Sequence, residues 1–467
     1  MKVLQSVHPT PEQLTIIQRS DPGVTIIRGA AGSGKTTTAL LRMKFLAAAW
    51  QNRNRRLGIN RPVNMLVVTF NKTLRGYIQE LASQQIEEDS SLSLTVSTFA
   101  KWACELLGVS VHHWRAMRKL KALASSLPNE SEFIVEESQY AMGRFLPRDI
   151  TAYLDRERTG RGRSPRCDRS LRQKIIDQVI NPYFEWKART GCLDFNDLAV
   201  QLAQSNDPIQ EYDIVVADEA QDLSANEVRA LQSHLANPHT ITYVLDGAQR
   251  IYARGFTWRE VGLTVRPHQV FRLEKNYRNT KEIAAFILPL LEGVEIGGDE
   301  GTIPNLESCE KTGPKPSVVV GKYSQQLNWA IRYIRTRVDL TKDSVAFLKP
   351  RGGAWFDALR QRLNVERLEF VELTREGDWP QGDENIALST MHSAKGLEFD
   401  HIIVLGLNEE VTPHGIEPGD TQLDALRRLL AMALGRARKS IVVGYKATEA
   451  SSLISYFKPG TFEEYRL

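Results

Sequence analysis

At 467 residues, with 42% hydrophobic and 25% charged side chains, the chain has the composition of a folded globular protein with more than one domain, not of a disordered tail. No run approaches the roughly 18 consecutive apolar residues of a membrane span, and the polar start around Pro9 and Pro11 lacks the apolar stretch of a secretory signal, so a cytoplasmic location is expected. Lys+Arg 60 against Asp+Glu 56 leaves a net charge of +4, too slight to name a partner, and Cys104, Cys167, Cys192 and Cys309 stand too far apart for the short spacing of zinc ligands.

Along the chain, short β-branched runs at Val24–Arg28, Met65–Phe70, Leu94–Thr98, Ile214–Ala217 and Ile241–Leu245 read as buried parallel strands between helical stretches. Residues 101–190 break this rhythm. Trp102, Leu106 and Leu107 have helical spacing and strand runs are few, so this stretch reads as a helical insertion. It carries a basic segment, Arg156, Arg158, Arg161, Arg163, Arg166, Arg169, Arg172 and Lys174, with Gly160 and Gly162 at its centre. That segment reads equally as a phosphate contact or as a solvated loop. A second set of strands follows at Val318–Gly321, Ser344–Leu348, Ile386–Ser389, Ile402–Leu405 and Ile441–Gly444. Asp299–Pro316 reads as a loop and Tyr445–Leu467 as a short packing tail. Two sets of alternating strands and helices predict an α/β fold of two parallel-sheet lobes. The expected division is a first lobe of residues 1–100 with 191–271, an inserted subdomain of residues 101–190, and a second lobe of residues 272–467.

The strongest local signal is Gly29-Ala30-Ala31-Gly32-Ser33-Gly34-Lys35-Thr36, a phosphate-loop pattern entered by an apolar strand and left by a helix-forming stretch. Glycines let backbone amides face a phosphate, and the helix start adds partial positive charge. In this pattern Lys35 reaches the β- and γ-phosphates of ATP and Thr36 can ligate Mg²⁺. A second apolar run ends in Asp218-Glu219-Ala220-Gln221-Asp222. Asp218 at the strand tip suits Mg²⁺, and Glu219 suits deprotonation of the attacking water.

These two elements, Gln249-Arg250-Ile251-Tyr252, Asn276-Tyr277-Arg278-Asn279-Thr280, Met391-His392-Ser393-Ala394-Lys395-Gly396-Leu397-Glu398-Phe399 and Gly435-Arg436-Ala437 occur in an order that resembles the UvrD/PcrA/Rep group of superfamily 1 helicases. The resemblance implies two RecA-like lobes and ATP-driven travel on single-stranded DNA, or on a duplex with a single-stranded tail, in the 3′-to-5′ direction. It places Gln13 on adenine, Tyr277 in a stack on the base, Gln249 as sensor of the γ-phosphate, Glu398 on the ribose, and Arg278 and Arg436 on the γ-phosphate. It also places Thr37 next to the nucleotide, where the family has a basic residue. Along the strand it puts Phe70, Asn71, Thr98, Tyr252, Trp258, His392 and His414. Aromatics suit this task because every base has a π-face, and hydroxyls and amides can bond phosphate oxygens. Further departures are Gly435 for a threonine and Ala431 for a tyrosine. Arg278 and Glu398 also lie too close in sequence for the large helical insertion of longer relatives. The alternative is a nucleic-acid-stimulated ATPase subunit, without processive unwinding, that serves a nuclease, repair or anti-phage defence partner.

Overall fold

The computed structural model describes residues 9–29, 32–69, 75–76, 78–79, 90–158, 166–205, 208–245, 255–294, 309–349, 356–373, 380, 382, 384–394, 397–411 and 421–467. Six strands, β1 (Gly23–Gly29), β2 (Val63–Thr69), β3 (Leu92–Thr98), β4 (Tyr212–Ala217), β5 (Leu235–Leu245) and β6 (Val270–Leu273), form a parallel sheet in the order β3-β2-β4-β5-β1-β6. The alternation of side chains along a strand divides its burial between two faces. In β2, Met65 and Val67 pack with the helix Lys35–Leu57, through Met43, Leu46 and Trp50. Leu66 and Val68 pack on the other face with the helices Phe99–Leu107, Phe195–Ala203 and Ala225–Gln232.

After a small parallel pair, β7 (Asn276–Thr280) with β8 (Cys309–Lys311), comes the second parallel sheet. It contains β9 (Ser317–Val320), β10 (Val345–Lys349), β11 (Val371–Leu373), β12 (Ile386–Thr390), β13 (Phe399–Val404), β14 (Ala437–Tyr445) and β15 (Glu463–Arg466), in the order β11-β12-β10-β13-β14-β9-β15. The α/β fold of two RecA-like parallel-sheet lobes is therefore present. Two readings change. The stretch read as a loop, Asp299–Pro316, carries β8 at Cys309–Lys311. The last residues are not only packing tail, because β15 adds an edge strand against β9, with Glu463 opposite Ser317 and Arg466 opposite Val320. Its exposed, charged side chains hide the strand from any reading that searches for apolar runs.

The helices His113–Ala124, Ser131–Arg144, Arg169–Ile175 and Asn181–Thr190 enclose a core of their own around Leu120, Ile134, Tyr153, Val179 and Tyr183. A π-turn at Ile176–Ile180 joins the last two. Pro182, two residues beyond it, has no N–H for the regular i→i−4 ladder, and this is a common origin of such a bulge. Polar side chains seat this core on the first lobe. Asn226 donates to Met142 O at 2.8 Å, Arg229 to Arg144 O at 2.9 Å, and Arg144 pairs with Glu260 at 2.5 Å.

Part of the basic segment is engaged inside this bundle, while the side chains of Arg156, Arg166, Arg169 and Lys174 are exposed. Arg158 makes a two-pronged pair with Glu137, Nε to Oε1 at 2.8 Å and Nη2 to Oε2 at 2.7 Å. Arg172 donates to the carbonyls of Cys167, Tyr153 and Arg156, and Arg169 pairs with Asp155. Arg161 and Arg163 lie outside the described residues. All four cysteines are free, and Cys167, Cys192 and Cys309 are buried. Among the described residues no helix is long and apolar enough to cross a membrane.

Candidate nucleotide-binding site

Two parallel strands aim their C-terminal ends at one place. β1 ends at Gly29, where a side chain would stand 2.7 Å from Leu273 O, so only glycine fits between β1 and β6. Gly32 and Gly34 then take φ of 81° and 76°, and Gly34 opens the helix Lys35–Leu57. No side chain caps this helix, which leaves its first N–H groups for a ligand. Ser33 Oγ is buried without a hydrogen-bond partner, a polar atom aimed at the same place. Lys35 is only 8% exposed. Uncapped amides, an orphaned hydroxyl and a buried lysine together fit a bound phosphate chain.

At the tip of β4, Thr36 Oγ1 donates to Asp218 at 3.0 Å and 3.2 Å from its two oxygens. Among the described residues no group of three or more His, Cys, Asp or Glu could hold a metal. A hydroxyl with one carboxylate suits Mg²⁺, which keeps waters and takes phosphate oxygens for its other positions. The Asp218 carboxyl is pushed up to about 7, first by burial and then by the charge of Glu219, while Thr36 and Lys35 pull it back. A group raised in the folded state above its ordinary 3.8 contributes stability that is complete below that value and is lost as pH rises through about 7. In EDTA, the wild-type protein is therefore expected to lose on the order of 2–4 kcal/mol relative to Asp218→Asn between pH 5 and pH 8. Urea unfolding of both proteins at the two pH values checks this, and parallel pH profiles would refute it.

Glu219 stands in the left-handed region at φ 52°, ψ 40°. Asp218 N–H donates to Val68 O at 2.9 Å on one side, and Asp222 N–H donates to Glu219 O at 2.9 Å on the other. Gln221 Nε2 donates to the Glu219 carboxylate. Gln13 lies beside the loop, its Nε2 3.3 Å from Ser33 O and its Oε1 accepting from Thr10 N–H at 3.0 Å. Both ends of its amide thus have protein partners. Thr37 is half-buried on the first turn of the helix.

The second lobe reaches the same loop through β7. The N–H groups of Tyr277 and Arg278 both donate to Gly32 O, at 2.9 Å and 3.0 Å. Arg278 Nη2 pairs with Glu398, and Arg278 Nη1 lies 3.3 Å from Gly435 O. Burial alone would push the Glu398 carboxyl up, but Arg278, with Arg438 and Arg436 behind it, holds it below the usual carboxylate range. Arg436 follows Gly435 and is 2% exposed. The structure therefore brings Gln13, Gly29, Gly32, Ser33, Gly34, Lys35, Thr36, Asp218, Glu219, Tyr277, Arg278, Glu398 and Arg436 to one junction. Ala30, Ala31 and Gln249 lie outside the described residues.

The expected strand contacts are more scattered. Thr98 caps the helix Phe99–Leu107, accepting from Lys101 N–H at 3.3 Å. Trp258 packs on Tyr243, ring centroids 4.9 Å apart, and edge-on to Phe256, so much of its surface belongs to the first-lobe core. His392 is half-buried just beyond β12. Phe70, Asn71, Tyr252 and His414 lie outside the described residues. The sequence reading assigned nothing to Asn276, Asn279 or Gln221. Their signal was polar side chains inside otherwise buried motifs.

Residues 10–260 match the UvrD/REP helicase N-terminal domain, and residues 357–448 match the UvrD-like helicase C-terminal domain. A probable DNA helicase of Mycoplasma pneumoniae is 22% identical, over 95% of this chain and 84% of its own length. A probable DNA helicase II homolog of Mycoplasma capricolum is 24% identical, over 77% of this chain and 51% of its own. The exonuclease/helicase subunit RexA of Lactococcus lactis is 30% identical over 24% of this chain, which corresponds to 11% of that protein. The chain thus spans most of the first of these relatives, about half of the second and a small part of the third. With more than half of its length matched by one domain family and a second domain of the same type behind it, the chain belongs to the UvrD/REP helicase family.

Proposed function

We propose that the chain is an ATP-driven motor on single-stranded DNA that travels 3′ to 5′ and opens duplexes carrying a single-stranded tail. The observation that carries this reading is the convergence of two lobes on one phosphate loop, with Arg278 and Arg436 arriving from the second. Arginines supplied by a separate lobe make hydrolysis depend on how the cleft is closed, and that dependence lets a chemical cycle drive motion.

Lys35 and the loop amides would hold the β- and γ-phosphates, and Thr36 and Asp218 would hold Mg²⁺, which would supply positive charge to offset that of the phosphates. Glu219 takes the proton of the attacking water, and Gln249 senses the γ-phosphate. Tyr277 stacks on the base and Gln13 reads its edge by exchanging its present partners. Glu398 serves the ribose, and its exchange of partner frees Arg278 for the phosphate. Phe70, Asn71, Thr98, Tyr252, Trp258, His392 and His414 make the strand track. In this division residues 1–100 with 191–271 carry the nucleotide, residues 272–467 close on it, and residues 101–190 are an inserted helical subdomain.

The test is steady-state ATP hydrolysis with and without single-stranded DNA, with Lys35→Ala as the blank. The expected result is turnover raised at least about 10-fold by DNA, as for chemistry gated by conformational closure, and absent in the variant. Turnover indifferent to DNA would overturn the reading. A second reading, an ATPase that serves a nuclease, draws on the partial match to an exonuclease/helicase component. DNA-stimulated hydrolysis without strand displacement would favour it.

A further inference from the structure

The two arginines of the second lobe come from segments far apart in sequence, yet their backbones are tied together. Asn279, in β7, donates through Nδ2 to Gly435 O at 3.2 Å and to Ala437 O at 2.6 Å, the carbonyls on either side of Arg436. The carbonyl between them, that of Arg436 itself, accepts from Phe399 N–H at 3.0 Å. Three successive carbonyls are thus held, and the Arg436 side chain leaves from a fixed base.

Asn279 is itself fixed by Asn276. Asn276 Oδ1 accepts from the N–H groups of Arg278 and Asn279, at 3.1 Å and 3.0 Å, and Asn276 Nδ2 donates to Asn279 Oδ1 at 3.0 Å. Both asparagines are buried, at 0% and 2% exposure. The strand between them meets Gly32 O through Tyr277 and Arg278. A continuous hydrogen-bonded path therefore runs from the phosphate loop, through Arg278, to the backbone of Arg436. Among side chains of this length only asparagine offers two donors and an acceptor. Aspartate would set oxygens against carbonyls, and serine has a single donor.

We infer that Asn279 is the positioning residue that makes Arg278 and Arg436 one unit, so that both reach the γ-phosphate together or not at all. The inference rests on the roles proposed above for the two arginines and adds the part that couples them. A side chain that only stabilised the lobe would lower stability without a selective loss of turnover. A coupling brace acts through the arginines, so its removal matters only while they are present.

The experiment is a double-mutant cycle on DNA-stimulated ATP hydrolysis by the full chain, with thermal midpoints measured alongside. Asn279→Ala is expected to lower kcat roughly 10- to 100-fold, the scale of a misplaced catalytic group, and to change the KM for ATP less than about 2-fold. In an Arg436→Ala background the same change should cost less than about 3-fold, because the two act as a unit. Asn279→Asp should lose at least as much kcat as Asn279→Ala. Asn279→Ser, with one donor left, should fall between Asn279→Ala and wild type, and it carries the cycle if Asn279→Ala does not fold. Wild-type kcat in a folded Asn279→Ala or Asn279→Ser, or losses that multiply in full across the cycle, would overturn the brace. Wild-type kcat in Arg436→Ala alone would instead overturn the role of that arginine, a result visible without any change at Asn279.

Discussion

Replacement of Glu219 by glutamine is expected to leave ATP bound and to lower its hydrolysis at least about 100-fold, the lower end of what a positioned general base contributes. Glutamine keeps the size of the side chain and its hydrogen bond with Gln221, but it cannot take a proton. The backbone offers a second line of argument. A residue with a Cβ in the left-handed region costs about 1–2 kcal/mol, and Glu219 is held there by Val68 O before it and Asp222 N–H after it. Strain that persists because the surroundings over-determine it is commonly found where a side chain must be aimed. Glu219→Gly should accordingly raise stability by about 1 kcal/mol while hydrolysis disappears. Steady-state turnover, equilibrium binding of a fluorescent ATP analogue and urea unfolding of the three proteins check these outcomes together. Normal turnover in Glu219→Gln would remove this carboxylate as the base.

Much of the first lobe was legible in the sequence because strands such as β2 and β4 carry apolar runs buried on both faces, whereas β6, with Val270 and Arg272 exposed, was not read. The runs read at Met65–Phe70 and Ile214–Ala217 fall within or against the observed strands Val63–Thr69 and Tyr212–Ala217, and the carboxylates that follow Ala217 were correctly set at the strand tip. The phosphate loop was legible for a different reason. Its glycines answer a backbone requirement, and Gly32 and Gly34 do take the positive φ that only glycine adopts freely. Less legible was whatever depends on partners distant in sequence. Nothing near Asn279 announces that its amide will meet the carbonyls of Gly435 and Ala437. Trp258 packs on Tyr243 and stays half-buried, and its residue type does not separate a stacking platform from a core ring, because an aromatic serves both equally well. Polar edge strands such as Glu463–Arg466 left no apolar trace at all. The basic segment is the sharpest case. A run of arginines has the same composition whether it faces DNA or an acidic residue inside a bundle, and at Arg158 the position of Glu137 separates the two.

That difference is measurable at Arg158. Its guanidinium is spent on Glu137, whose side chain is 0% exposed and also accepts from Tyr153 OH at 2.6 Å. Arg158→Ala removes the two-pronged donor from that buried carboxylate, and the loss expected from such a broken pair is about 3–5 kcal/mol. The paired variant Glu137→Gln with Arg158→Met should lose much less, because no charge is stranded and the methionine refills the volume. The hydroxyl of Tyr153, pushed up first by burial and then by Glu137, stays protonated and continues to donate. Single-strand affinity should keep its salt dependence in the paired variant, since a guanidinium already neutralised by Glu137 releases no counterions from DNA. Urea midpoints for the three proteins and a plot of log affinity against log salt concentration give both answers. A slope shallower by about 0.7 in the paired variant, the value for one phosphate contact on a single strand, together with unchanged stability in Arg158→Ala, would return Arg158 to the DNA and leave the helical bundle without its internal clamp.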